Sequence, residues 1–162
     1  MPDSNPSLLL FVCTGNTCRS PMAEVLAGHL CRSVQGWSFA SAGLFAREGG
    51  AATEEAQKVL KEKGLDLSGH RSRQLSAEMV QEAEYLIGLT SGHAELMKET
   101  FPEAGDKIRT LYSFTSQPDR DVLDPFGGNL STYRKTRDEI ESALSDLILS
   151  IISPLKTKQE EL

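Results

Sequence analysis

Phe11-Val12-Cys13-Thr14-Gly15-Asn16-Thr17-Cys18-Arg19-Ser20-Pro21 is the stretch on which the reading of the chain turns. Upstream, Leu8-Leu9-Leu10-Phe11-Val12 is an unbroken apolar run, the pattern of a short buried strand. Downstream, Pro21-Met22-Ala23-Glu24-Val25-Leu26-Ala27 joins good helix formers to a proline suited to a first turn. A strand that passes through small polar residues into a helix points free backbone N–H groups into a concavity. The helix dipole adds positive potential at the same place. Such a loop is an anion cradle sized for one phosphoryl group, and Cys13 is predicted at its floor. The N–H groups, the helix N-terminus and Arg19 all favour a thiolate there, a nucleophile aimed at phosphorus. Arg19 can fork two hydrogen bonds to equatorial oxygens and so stabilise the charge during transfer. The spacing from cysteine to arginine is by itself common; its place between a strand and a helix makes it specific.

Working outward, the 162 residues suffice for one domain with a real core. A net charge of −6 argues against a general nucleic-acid binder, so an anionic substrate must be drawn by local potential at one loop. No apolar run reaches the ~18 residues of a membrane span, and no signal peptide is evident. Three cysteines, two of them in the loop, do not form a secreted disulfide framework, and a cytoplasmic location is expected. The expected organisation is a flexible N-terminus over 1–7, a single domain over 8–153 and a charged tail over 154–162.

The pattern predicts strands at Leu8 to Val12, Trp37 to Ala42, Tyr85 to Thr90 and Ile108 to Leu111. Helices are expected from about Arg19 to Ser33, Ala52 to Lys63 with Gly64 as the stop, and a short one capped by Ser76. Two more should cover Ala94 to Phe101, ended by Pro102, and the C-terminal part from near Ser131. Ser113 to Gly128 is polar and proline-containing, a long loop of the kind that usually carries function. Strands alternating with helices imply an α/β fold: one doubly wound domain, a parallel sheet covered on both faces, and the phosphate-binding loop after strand 1.

Two segments carry a resemblance. Val12-Cys13-Thr14-Gly15-Asn16-Thr17-Cys18-Arg19-Ser20-Pro21-Met22-Ala23-Glu24 and Asp121-Val122-Leu123-Asp124-Pro125-Phe126-Gly127-Gly128 resemble the low-molecular-weight protein-tyrosine-phosphatase family. The likeness runs from about Leu8 to the last helix. It implies a four-stranded sheet in the order 2-1-3-4, a cysteinyl-phosphate intermediate and no metal or other cofactor. Threonine at position 17 is similar to the protein-arginine-phosphatase branch; tyrosine-specific members usually carry isoleucine there.

Several side chains have two readings. Asp124, on a loop with proline and glycines, suits a general acid that protonates the leaving atom and then activates water, a role the resemblance favours; otherwise Asp-Pro-Phe-Gly-Gly is turn chemistry. Asp121 is the competing acid. Ser20 either caps the helix or gives its hydroxyl to Cys13, and the resemblance favours the second. Asn16, tolerant of left-handed backbone, reads as a loop-shaping residue. Phe126 either walls the pocket or packs on its own loop. Cys18 can close a disulfide on Cys13 under peroxide, or fill space beneath the loop. Cys31 reads as core, His29 and His93 as ordinary helix residues. His70 is a candidate support of the loop, as a similar histidine is in some relatives, and Ser41 another. No metal-ligand spacing appears.

The expectation is a cytoplasmic phosphatase acting on phosphorylated proteins, with Cys13, Arg19 and Asp124 catalytic. Thr14, Gly15, Asn16, Thr17, Cys18 and Ser20 form the phosphate loop, and Thr17 and Phe126 set selectivity. Phosphoarginine is favoured over phosphotyrosine, because threonine leaves room and a hydrogen-bonding group beside a planar guanidinium. Gly127 also stands where tyrosine-specific members often place a second aromatic. An arsenate reductase would need further cysteines distant in sequence, and none follows Cys31. A non-catalytic phosphate-binding module would have no need of both Cys13 and Asp124.

Overall fold

The computed structural model describes residues 5–153. Its sheet has four parallel strands in the order β2-β1-β3-β4, with β1 over Ser7–Cys13, β2 over Trp37–Gly43, β3 over Ala83–Gly88 and β4 over Ile108–Thr110. The doubly wound fold and its strand order are as anticipated. Alternation along β1 decides how the sheet is covered. Leu9 and Phe11 face one layer, formed by α1 (Arg19–Leu30), α2 (Glu54–Lys61) and α5 (Leu130–Leu147). Leu10 and Val12 face the other, beneath α3 (Ala77–Glu82) and α4 (Ser91–Thr100). All four side chains are fully buried, as a central parallel strand requires.

Helix boundaries follow their caps. Thr53, Ser76 and Asn129 each accept a hydrogen bond from the backbone N–H three residues on, opening α2, α3 and α5. Thr90 does the same for His93, so α4 begins at Ser91, three residues ahead of the expected start. The strand expected to run to Thr90 therefore stops at Gly88, where a Cβ would lie 3.0 Å from the Ala94 nitrogen. Helix α1 ends at Leu30, short of Ser33, and α2 at Lys61; Gly64, at φ +75, turns the chain after α2. Pro102 ends α4 and opens a 3₁₀ turn over Pro102–Lys107. A second 3₁₀ turn, Leu111–Phe114, leads into a segment without regular structure that lasts until α5. A π-helical turn over Ile148–Ile152 follows α5. The tail expected beyond Pro154 lies outside the described residues.

Candidate active site

The loop between β1 and α1 sits beyond the carboxyl end of a central strand, flanked by β2 and β3, where doubly wound sheets open a crevice. Its carbonyls are held outward by four neighbours. Leu44 N donates to Cys13 O at 2.9 Å, Phe45 N to Thr14 O at 2.9 Å and Thr53 N to Thr17 O at 3.0 Å. His70 Nε2 donates to Asn16 O at 2.7 Å. A peptide plane whose C=O is held outward directs its N–H the other way, into the cavity. The close approach of the Gly43 strand end belongs to this arrangement: a Cβ there would fall 2.5 Å from Thr14 O.

Asn16 is the keystone. It adopts φ 58, the left-handed region that asparagine tolerates. Its Nδ2 donates to Ser20 Oγ at 2.8 Å and to Ser41 Oγ at 3.0 Å, and its Oδ1 accepts from Arg73 N at 3.0 Å. Ser41 in turn donates to Glu24 Oε1 at 2.7 Å. Ser20 Oγ, which accepts from Asn16, also lies 2.9 Å from Cys13 Sγ, where it can donate its hydrogen to a thiolate. Ser20 is already inside α1 and caps nothing; the N-cap, Cys18, has no side-chain cap bond.

Cys13, Thr14, Gly15, Thr17, Cys18, Arg19, Asp124 and Phe126 line one cavity of about 230 Å³. Arg19 is buried at 6% exposure and donates through Nη1 to Val122 O at 3.0 Å, while Nη2 stands 3.7 Å from Asp124 Oδ2. The other Asp124 oxygen accepts from Phe126 N at 3.1 Å, and its side chain is 55% exposed. Phe126 lies at the mouth, 71% exposed. Asp121 does not line the cavity; its Oδ1 accepts from Ser91 N at 2.8 Å. Cys13, Cys18 and Cys31 form no disulfide. Cys18 lies within hydrogen-bonding reach of Tyr133, Thr53 and Thr17, and burial pushes its thiol pKa up. Cys31 is buried in the core. A larger cleft, about 750 Å³ between α2 and residues 64–68, is lined by no cysteine.

His93 corrects the expectation of an ordinary helix residue. It is 7% exposed, its Nε2 lies 3.0 Å from Thr14 Oγ1, and its Nδ1 has no hydrogen-bond partner among the described residues. Burial, then the Arg19 charge, lowers its pKa to about 4, with Asp121 and Asp124 opposing. We assign the hydrogen of the neutral ring to Nε2, which avoids burying an unpaired N–H. The contact crosses 79 positions of sequence and had no local signal.

The sequence matches the family described as low molecular weight phosphotyrosine protein phosphatase over residues 8–160. A protein-arginine-phosphatase of Geobacillus stearothermophilus is 47% identical over 95% of this chain and 99% of its own length. A solved cysteine-to-serine variant of the YwlE arginine phosphatase, with its active-site serine phosphorylated, superposes with a TM-score of 0.84 at 38% identity, covering 91% of this chain and 99% of that one. The low molecular weight protein tyrosine phosphatase of T. tengcongensis gives 0.86 at 39% identity, over 90% and 99%. The chain belongs to the low-molecular-weight phosphatase family.

Proposed function

We propose that this family member hydrolyses phosphoarginine on proteins through a phosphocysteine intermediate. The observation that carries the reading is the convergence of Cys13, Arg19, Thr17 and Asp124 on one small cavity. In the first step Cys13 Sγ attacks phosphorus in line, forming S–P as the P–N bond breaks. Asp124 gives its proton to the departing guanidino nitrogen. Arg19 and the loop amides hold the equatorial oxygens, and Ser20 Oγ, already bonded to Sγ, steadies the thiolate. In the second step Asp124 takes a proton from water, whose oxygen attacks phosphorus; the S–P bond breaks and the thiolate departs with the Ser20 hydrogen bond restored. A relative that carries phosphate on the serine replacing its active-site cysteine supports the covalent route.

Thr17 supports the choice of side chain, as does the name of the Geobacillus relative. Phosphotyrosine is the second reading, favoured by the name of the T. tengcongensis protein. The ratio of kcat/KM on phosphoarginine and phosphotyrosine peptides of one sequence tests the choice. The wild type should prefer phosphoarginine, and Thr17→Ile should move the ratio roughly 10-fold or more toward phosphotyrosine, since an added methylene beside the leaving group is worth about 1–3 kcal/mol. A wild type that prefers phosphotyrosine replaces the first reading with the second.

The partners are phosphorylated proteins, met in the cytoplasm; the net charge of −6 agrees with the exclusion of nucleic acid. Peroxide should convert Cys13 and Cys18 to a disulfide that thiol reverses, with activity following the bond. Because Cys18 is held as a thiol, bridge formation should speed up as pH rises. Alkylation and mass spectrometry read both effects.

A further inference from the structure

We infer that the turn between β3 and α4 is the spacer between the two halves of the site, with Asp121 as the residue that positions the acid loop on it and His93 as the residue that steadies the phosphate loop. The inference rests on the roles just proposed for Cys13 and Asp124. The turn is bonded to both halves of the site. Leu89 donates its N–H to Val12 O at 3.1 Å, beside the nucleophile, and accepts with its carbonyl from Val122 N at 3.0 Å, on the acid loop. Two residues on, Ser91 N–H is fixed on Asp121 Oδ1; two further, His93 reaches Thr14. Only fully buried Val122 and exposed Leu123 separate Asp121 from Asp124, so the anchored carboxylate governs where the acid stands.

Neither residue lines the cavity. Asp121 stands outside the cavity that Asp124 lines, with its oxygen engaged by the helix amide, and so serves as an anchor rather than as the competing acid. His93 buries a nitrogen without a partner, a cost that an apolar side chain would avoid. The Nε2 bond to Thr14 is what that position provides in return, and it steadies the loop residue next to Cys13.

The test is kcat/KM over a series of aryl phosphates of rising leaving-group pKa, together with the inhibition constant of inorganic phosphate. Asp121→Ala should steepen the dependence on leaving group. Phenyl phosphate should lose roughly 10-fold or more, a share of the roughly 10²–10⁴-fold that a general acid supplies, while p-nitrophenyl phosphate changes little. Asp121→Asn keeps an acceptor oxygen and should restore the shallow slope. Ser91→Pro removes the N–H donor at the first helical position, where proline is tolerated, and should reproduce the steep slope with Asp121 intact. His93→Ala should weaken phosphate binding and raise KM equally across the series, with the slope unchanged. A wild-type slope in both Asp121→Ala and Ser91→Pro, beside a steep one in Asp124→Asn, overturns the spacer, as does a slope change in His93→Ala without weaker phosphate binding. A flat slope in Asp124→Asn itself instead overturns the acid assignment.

Discussion

The two loops that meet at Cys13 are built in opposite ways. In the phosphate loop Asn16 and Ser20 are completely buried, and the carbonyls of Cys13, Thr14, Asn16 and Thr17 are each held by a different neighbour. In the acid loop Leu123 and Phe126 are 76% and 71% exposed, and the segment is tied down by a few bonds around Asp121 and Val122. Electrostatic stabilisation of a transferred phosphoryl group works when its donors are fixed beforehand. An acid that must serve a leaving group and then water has to stand on the solvent side and change partners. The contrast follows from the division of labour.

The largest effect that would sharpen this contrast is expected from the rigid half. Cys13→Ser should lower turnover by roughly 10³-fold or more while phosphate affinity is largely kept, because the cradle consists of backbone and Arg19. Residual activity above a few per cent in single-turnover assays would remove Cys13 as nucleophile. In the exposed half, Asp124→Asn should cost roughly 10²–10⁴-fold on esters with poor leaving groups and far less on activated aryl phosphates. A uniform loss across leaving groups would dissolve the proposed distinction between cradle and acid.

Smaller effects concern stability. Asn16→Ala deletes three side-chain hydrogen bonds worth about 1 kcal/mol each and puts at positive φ a residue that tolerates left-handed backbone less well than asparagine, so chemical denaturation should show a loss of about 3–4 kcal/mol. No comparable loss is expected from Phe126→Ala in the acid loop. His93 sets a pH window. Its ring ordinarily titrates at 6.5 and, folded, at about 4. Between those values the unfolded chain binds a proton that the folded chain refuses. The stability contribution is complete above pH 6.5 and falls by about 3 kcal/mol as pH drops through 4. His93→Gln should flatten that part of the stability curve; an unchanged curve would mean that the ring titrates normally.

The strand, loop and helix around Cys13 were legible because local pattern and chemistry agree over consecutive residues. Strand order was carried by resemblance, since hydrophobic pattern does not rank parallel strands. The start of α4 was misplaced although Thr90-Ser91-Gly92 carried a capping signal; the apolar run of β3 masked it. Among candidate site residues, those within 13–20 could be read as one motif. The bonds of His93 to Thr14 and of Asp121 to Ser91 depend on which turns the fold brings together, and helical periodicity is silent on that.

The amide of Asn16 joins residues 20, 41 and 73, and the carbonyl beside it is held by His70. Residues 41, 70 and 73 are distant from it in sequence, and contacts of that kind form late because loop closure precedes their reward. The loop around Cys13, the proposed nucleophile, is therefore assembled only when β2 and the segment after α2 have docked. A chain still emerging during synthesis, or one partly unfolded, carries Cys13 without a cradle. Catalytic competence reports on completed folding, and recovery of turnover should lag behind recovery of helix signal in a refolding experiment.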